Sequence, residues 1–346
     1  MTDAEIGRFL RAHCEKYPES TAQDLFKALH QSAFGCEHLV KSPDAAADFI
    51  RREAAQTPDA PAETERLCGG NFARVHLGWL REGLSPETLA RLFALSAEPA
   101  ADGRETLEAM LRVLAALPLP CPVPGSEIAA WRAAGFPALH HSPAFRAAYL
   151  PAYRVLRADF ARYLPLFARL DALLREKGDV FLAVDGGSAS GKTTLAALLE
   201  RVYGCTVLHM DDFFLRPAQR TPERLTEPGG NVDRERFCDE VLLPLRRGEA
   251  AEYRRYDCGT GQLLPPRRVQ PGGLIVTEGA YALHPALAEN YDLRVFLRIA
   301  PEAQRERIER RNPDMAETFF RVWIPMEQRY FETFAVEESC DLVFDN

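Results

Sequence analysis

Val180-Phe181-Leu182-Ala183-Val184 runs directly into Asp185-Gly186-Gly187-Ser188-Ala189-Ser190-Gly191-Lys192-Thr193-Thr194. The first five residues form a short, wholly apolar run of the kind found in buried strands, and the next ten satisfy G-x-x-x-x-G-K-[ST]. Helical spacing follows, from Lys192 to Val202. A polyphosphate needs several backbone N–H donors converging on it, and glycines let the chain wrap it without side-chain obstruction. The helix that starts at the loop directs its free N–H groups and its dipole at the same anion. Gly186, Gly187, Ser188, Ala189, Ser190 and Gly191 therefore form the expected cradle, with Ser190 and Thr194 as further phosphate contacts. Lys192 reaches the β and γ phosphates, and the Thr193 hydroxyl binds magnesium, so a nucleoside triphosphate and Mg2+ are the expected ligands, with kinase, GTPase and ATPase motor all open.

The pattern around this stretch is that of an α/β protein. Further strands are predicted at Thr206–Met210, Leu274–Thr277, Leu293–Ile299 and Leu342–Phe344, with helices at Asp233–Leu245, Pro301–Arg311 and Ala316–Phe334. Such alternation indicates a mostly parallel sheet flanked by helices. Two of the strands end in carboxylates: Asp211-Asp212-Phe213-Phe214 follows one, Glu278-Gly279 another. Open α/β sheets bind ligands at these strand ends, so Asp211 and Asp212 become candidates for acid–base work and Glu278 for holding magnesium. Since no lysine follows residue 192, the N-K-x-D motif that reads guanine is absent.

The first half differs. Apolar residues at helical spacing, Ser42-Pro43-Asp44 and Pro86-Glu87 as helix starts, and a proline-dense break at 118–124 predict helices throughout residues 1–177. The last of these run from Ser142 to Lys177 with breaks at Pro151 and Pro165. Two domains are expected, an all-α domain over 1–177 and the α/β domain over 178–346, in keeping with 346 residues at roughly 100–200 per domain. A 47% hydrophobic, 27% charged composition supports real cores and argues against disorder. With a net charge of −8, the chain has no global positive field for nucleic acid or an anionic membrane. No apolar stretch reaches the ~18 residues of a membrane span. The eight cysteines stand at wide, irregular intervals without a C-x-x-C pair, so no zinc ribbon or disulfide framework is expected and a reducing cytoplasm fits. The cations are skewed as well. Beyond Gly178 there are twenty arginines and one lysine, and that lysine is Lys192.

The motif order in residues 178–346 resembles the uridine kinase, phosphoribulokinase and pantothenate kinase group of P-loop kinases. It runs from the phosphate loop through Asp211-Asp212-Phe213-Phe214, Asn231-Val232-Asp233, Tyr256-Asp257 and Glu278-Gly279 to the arginine-rich Arg305…Arg311. The resemblance implies a P-loop kinase fold and an ATP-dependent transfer of phosphate to an alcohol group of a small, nucleoside-like metabolite. It implies that Asp211 is the base near the acceptor hydroxyl, with Asp212 its neighbouring alternative. Glu278 would lie near magnesium, Asp233 and Tyr256 with Asp257 would hold the acceptor, and Arg307 and Arg310 would close over the transferring phosphate. One departure stands out: uridine kinases carry a histidine shortly after the Tyr-Asp pair, where this chain has Cys258-Gly259-Thr260-Gly261-Gln262. Residues 1–177 resemble the extra N-terminal part of uridine-kinase-like bacterial proteins of unassigned activity.

Within that N-terminal part, Glu37, His38, Asn71, Arg74, His76 and His141 are polar residues in unusual settings. They fit a metal site, a pocket for an organic ligand, or a structural polar network, and no H-x-x-x-H spacing forces convergence. A different class of function is also compatible with the sequence: an ATP-binding regulatory protein with the helical domain as its effector. The expected partner is a hydroxylated small molecule, with no nucleic acid and no membrane, and assembly into a homo-oligomer is left open.

Overall fold

A computed structural model describes residues 1–36, 42–97 and 102–346 of the chain. The backbone divides into two compact units, Met1–Ala172 and Leu173–Asn346. Among the described residues no helix is long and apolar enough to cross a membrane.

The first unit is rich in helices, among them Asp3–Lys16, Ala22–Phe34, Pro43–Gln56, Pro86–Leu95 and Gly103–Ala116. Their starts follow local chemistry. Thr2 and Glu5 form a reciprocal capping box, and Ser42 and Ser85 each accept a bond from the helix they precede, with proline in the next position. Ile6, Leu10, Leu25, Leu29, Leu107 and Leu111 from three of these helices form one buried cluster with Trp131 and Phe136. Beyond the expected helices the unit holds a three-stranded antiparallel sheet: β1 (Thr64–Arg66), β2 (Phe72–His76) and β3 (Tyr153–Arg157), in the order β1-β2-β3. The segment past Pro151, expected to resume a helix, is thus a strand. β2 and β3 pair along their whole length, so burial on a sheet overrides a sequence whose arginines and short apolar runs carry no clear period of two.

In the second unit β4 (Val180–Gly186), β5 (Thr206–His209), β8 (Leu274–Glu278), β9 (Leu293–Arg298) and β10 (Leu342–Asp345) form an all-parallel sheet, ordered β10-β9-β4-β8-β5. β4 and β8 are buried along their whole length, which is why each opens as an unbroken apolar run. Burial of each Val or Leu there contributes about 1.5–3 kcal/mol. The remaining strands, β6 (Ala251–Asp257) and β7 (Gln262–Val269), make a two-stranded hairpin absent from the sequence reading. Ala251, Tyr253 and Tyr256 face the core from β6, while the rest of the hairpin is largely exposed arginine and proline and gives no strand signal.

The helices expected over 233–245 and 316–334 are present, and each contains a widened π-turn, at Cys238–Leu242 and Phe319–Trp323. Both widened turns end two residues before a proline, Pro244 and Pro325. Proline has no N–H to give to the preceding turn, and the wider turn lets the helix pass it without a break.

Candidate functional site

β4 is the middle strand of the sheet, and the glycine loop leaves its carboxyl end. Gly186 has φ 144°, and a Cβ there would stand 2.3 Å from the carbonyl oxygen of Leu297, so no larger residue fits. Gly191, at φ 99°, turns the chain into the helix Lys192–Tyr203. The Lys192 Nζ donates to the carbonyls of Gly186 (2.8 Å) and Gly187 (3.0 Å), so the ammonium is wrapped by its own loop. A planar guanidinium would not pack there, which gives a physical reason for the one lysine in an arginine-rich half. The Ser190 hydroxyl is buried with no partner among the described residues. A cradle too tight for a Cβ, with an ammonium and a free hydroxyl in it, is what a phosphate chain requires.

Other parts of the unit hold this loop in place. Asp185 is fully buried and accepts three bonds, from the N–H of Gly186 (2.7 Å), the N–H of Leu283 (2.9 Å) and the Tyr330 hydroxyl (2.9 Å). Burial pushes its carboxyl above the usual range, opposed by these donors and by Lys192. Gln304 donates to the Ser188 carbonyl (2.8 Å), Arg307 to that of Ala189 (3.1 Å) and Asn346 to that of Ser190 (2.6 Å). Glu327 accepts from the Ser188 N–H and hydroxyl. Apart from Arg307, sequence reading missed all of these.

At the ends of β5 and β8 the carboxylates gather. Glu278 is level with Val184 and with His209 in the sheet register. Its Oε1 accepts from the Thr193 hydroxyl (3.2 Å) and lies 2.6 Å from His209 Nδ1. That bond to Glu278 raises the His209 pKa, against the effect of burial. Thr193 and Glu278 thus offer two hard oxygen donors side by side, a set that suits Mg2+. Asp211 follows in the turn Met210–Phe213. Its side chain is open to solvent yet ringed by protein, and this desolvation raises its pKa. Lys192 opposes the rise and Glu278 adds to it.

A cleft of about 1610 Å³ joins these groups. Ser188, Ala189, Gly191, Lys192, Thr193, Thr194, Asp211, Tyr256, Glu278, Arg307 and Arg310 all line it. Asp212, Asp233 and Asp257 are not among its lining residues. Asp212 lies 3.5 Å from Arg255 Nε, and Asp233 is buried, capping the helix from Arg234 and accepting from Gln219 (2.7 Å). Asp257 accepts from the Gly259 N–H and the Thr260 hydroxyl and so shapes the hairpin turn. The lining also includes Phe214 and Asn231, which the motif order contains without a role, and Arg220 and Tyr281, absent from the sequence reading, the last strained at φ 74°.

In the first unit Arg74, His76 and His141 meet in one buried polar network, while Asn71 is exposed and Glu37 and His38 lie outside the described residues. Arg74 Nε donates to Gln31 (2.9 Å) and its guanidinium stacks on Tyr153, whose hydroxyl lies 2.6 Å from His141 Nε2. His141 Nδ1 is 2.9 Å from the buried Asp24. Among the described residues no cluster of His, Cys, Asp and Glu is arranged to hold a metal. Burial lowers His13 to about 3 and His141 to about 4. Partners hold Glu65 down to about 2, where burial alone would raise it. A histidine depressed in the fold binds its proton in the unfolded chain first. Stability from these groups is therefore complete above the unfolded value near 6.5 and falls as pH drops toward 4 and 3. The loss is expected to reach about 3 kcal/mol per pH unit for the two histidines together. Fluorescence against denaturant at pH 7 and pH 5, in a chain whose one tryptophan is Trp131 (W79F, W323F), checks this, and equal midpoints would contradict it.

No family model matches the chain. It is 32% identical over 148 residues to a uridine kinase of Chloroflexus aggregans, a match covering 40% of this chain and 69% of that protein. It is 30% identical over 130 residues to a phosphoribulokinase of Synechocystis (36% of this chain, 39% of the relative). To a uridine kinase-like protein of Arabidopsis thaliana it is 29% identical over 153 residues, 39% of this chain. The match spans about a third of the plant protein's length, 32%. Together with the loop, strand order and strand-end carboxylates, these similarities show that the chain belongs to the uridine kinase and phosphoribulokinase-like family of P-loop kinases.

Proposed function

We propose that the protein is an ATP-dependent phosphotransferase that phosphorylates an alcohol group of a small metabolite, a nucleoside-like compound being the first acceptor to test. The observation that carries this is the convergence of Lys192, Asp211, the Thr193–Glu278 pair, Arg307 and Arg310 on one cleft. We assign the chemistry to residues 178–346 and treat 1–177 as a separate domain.

Phosphoryl transfer asks the protein mainly for positioning and charge compensation, because its transition state spreads negative charge over the transferring oxygens. In this reading the loop N–H groups and Lys192 hold the phosphates of ATP. Thr193 and Glu278 would hold Mg2+, which when bound neutralises charge along the phosphate chain. Asp211 orients the acceptor hydroxyl and takes its proton as the oxygen bonds to the γ phosphorus and the bond to ADP breaks. Arg307 and Arg310, on the helix Pro301–Arg311, supply positive charge to the transferring group. Tyr256 contributes to the acceptor wall. We assign the carboxylates of Asp212, Asp233 and Asp257 to holding that wall in shape.

The acceptor is found by screening nucleosides, pantothenate, glycerate and sugars for ADP release above the no-acceptor background. At least one hydroxylated compound is expected to raise it, with a nucleoside the first candidate. Without the histidine that reads the pyrimidine in uridine kinases, discrimination among bases is expected to be weak. If no compound raises ADP release, the phosphotransferase reading fails.

A further inference from the structure

Three of the side chains that hold the phosphate loop, Gln304, Arg307 and Asn346, donate to its carbonyl oxygens. Binding the carbonyls from outside leaves the loop's N–H groups for an anion. Glu327 does the opposite. Its Oε2 accepts from the Ser188 N–H at 2.9 Å and its Oε1 from the Ser188 hydroxyl at 2.6 Å. The side chain is 5% exposed and lines the cleft. A carboxylate therefore occupies donors of a loop whose composition suits it to binding anions. Burial raises the carboxyl's pKa, while Lys192 and the two Ser188 bonds act against that rise and favour the ionised form.

The placement is firm. Tyr330, one turn further along the helix Ile324–Phe334, bonds to Asp185 at the base of the same loop (2.9 Å), so this helix grips the loop at two points. Charged and titratable groups surround Glu327 from several elements. Lys192 attracts it, Asp185 repels it, and Tyr281 approaches from the segment after β8. Arg307 binds the adjacent loop residue.

We propose that Glu327 is a positioning residue of the phosphate loop whose negative charge sets how tightly the loop holds a nucleotide. The inference rests on the nucleotide-binding reading of the loop. The carboxylate withdraws Ser188 from the donors offered to a phosphate chain and repels the same anion, while keeping the loop in one shape. Removing the charge but keeping an acceptor oxygen is expected to retain the shape and relieve the repulsion.

The test is ATP binding by calorimetry, with Mg2+ and no acceptor, on the full chain. Glu327→Gln is expected to bind ATP about tenfold more tightly than wild type. Glu327→Met, similar in length but unable to hold Ser188, is expected to lie between the two. A residue that merely braced the loop would give weaker binding in both variants. Binding by Glu327→Gln no tighter than wild type overturns the proposal; if that variant does not fold, binding by Glu327→Met no tighter than wild type does the same. Failure of the wild-type chain to bind ATP would instead overturn the nucleotide reading itself, and this proposal with it.

Discussion

Lys192→Ala is expected to abolish ATP-dependent phosphorylation, with a loss of at least about 10²–10³-fold in turnover, the size seen when one preorganised group facing developing charge is removed. The geometry makes the change selective. The ammonium is held by the carbonyls of its own loop, at Gly186 and Gly187, and makes no ion pair within 4 Å among the described residues. Its loss therefore removes charge from the cradle without cutting a tie to another element, and the fold is expected to persist. ATP affinity measured by calorimetry should fall together with turnover. Wild-type affinity in a folded Lys192→Ala protein would remove the loop from the nucleotide site.

Asp211→Asn is expected to lower turnover by about 10²–10⁴-fold with ATP affinity little changed, because the residue acts on the acceptor. The pH profile tests that role. A base must be unprotonated, and Asp211 has its pKa raised by desolvation beyond what Lys192 offsets. Activity should then decline, as pH falls, at a higher pH than an ordinary carboxylate would give. The Asn variant's residual activity should lack that limb. Near-normal turnover in Asp211→Asn would end its role as base.

What the sequence made legible, and what it hid, follows from the range of the forces involved. β4 and β8 are buried along their whole length and so open as continuous apolar runs, while β5, β9 and β10 keep shorter apolar stretches. The loop between β4 and its helix is dictated by a local need for glycine and lysine, so it too reads from neighbours alone. The hairpin β6–β7 is shaped by an Asp257 turn and by alternate Ala251, Tyr253 and Tyr256, a weak signal among arginines and prolines. Asp233 is expected from the family resemblance to hold the acceptor; its cap on the helix from Arg234 is local, whereas its bond to Gln219 depends on the fold. Glu327 and Tyr330 were the least visible, since their partners in the loop lie 139 and 145 residues away. The one clue was a carboxylate and a tyrosine, three residues apart, on an otherwise aromatic helix. That helix is half wall of the cleft, through Phe319, Val322 and Trp323, and half clamp on the phosphate loop.

The same contrast explains the N-terminal unit. Arg74 and His76 are neighbours on β2 but His141 is far along the chain, and the pairing of β2 with β3 brings Arg74 beside Tyr153 and, through it, His141.

In the proposed reaction this cleft moves the γ-phosphoryl group of ATP onto a hydroxyl of a small molecule. The most direct measurement uses ATP labelled in that group, with Mg2+ and a pool of hydroxylated metabolites, comparing the wild-type chain with Asp211→Asn. Label is expected in a low-molecular-mass product with wild type and almost none with the variant. Label released only as inorganic phosphate, or transferred equally by both proteins, would contradict it.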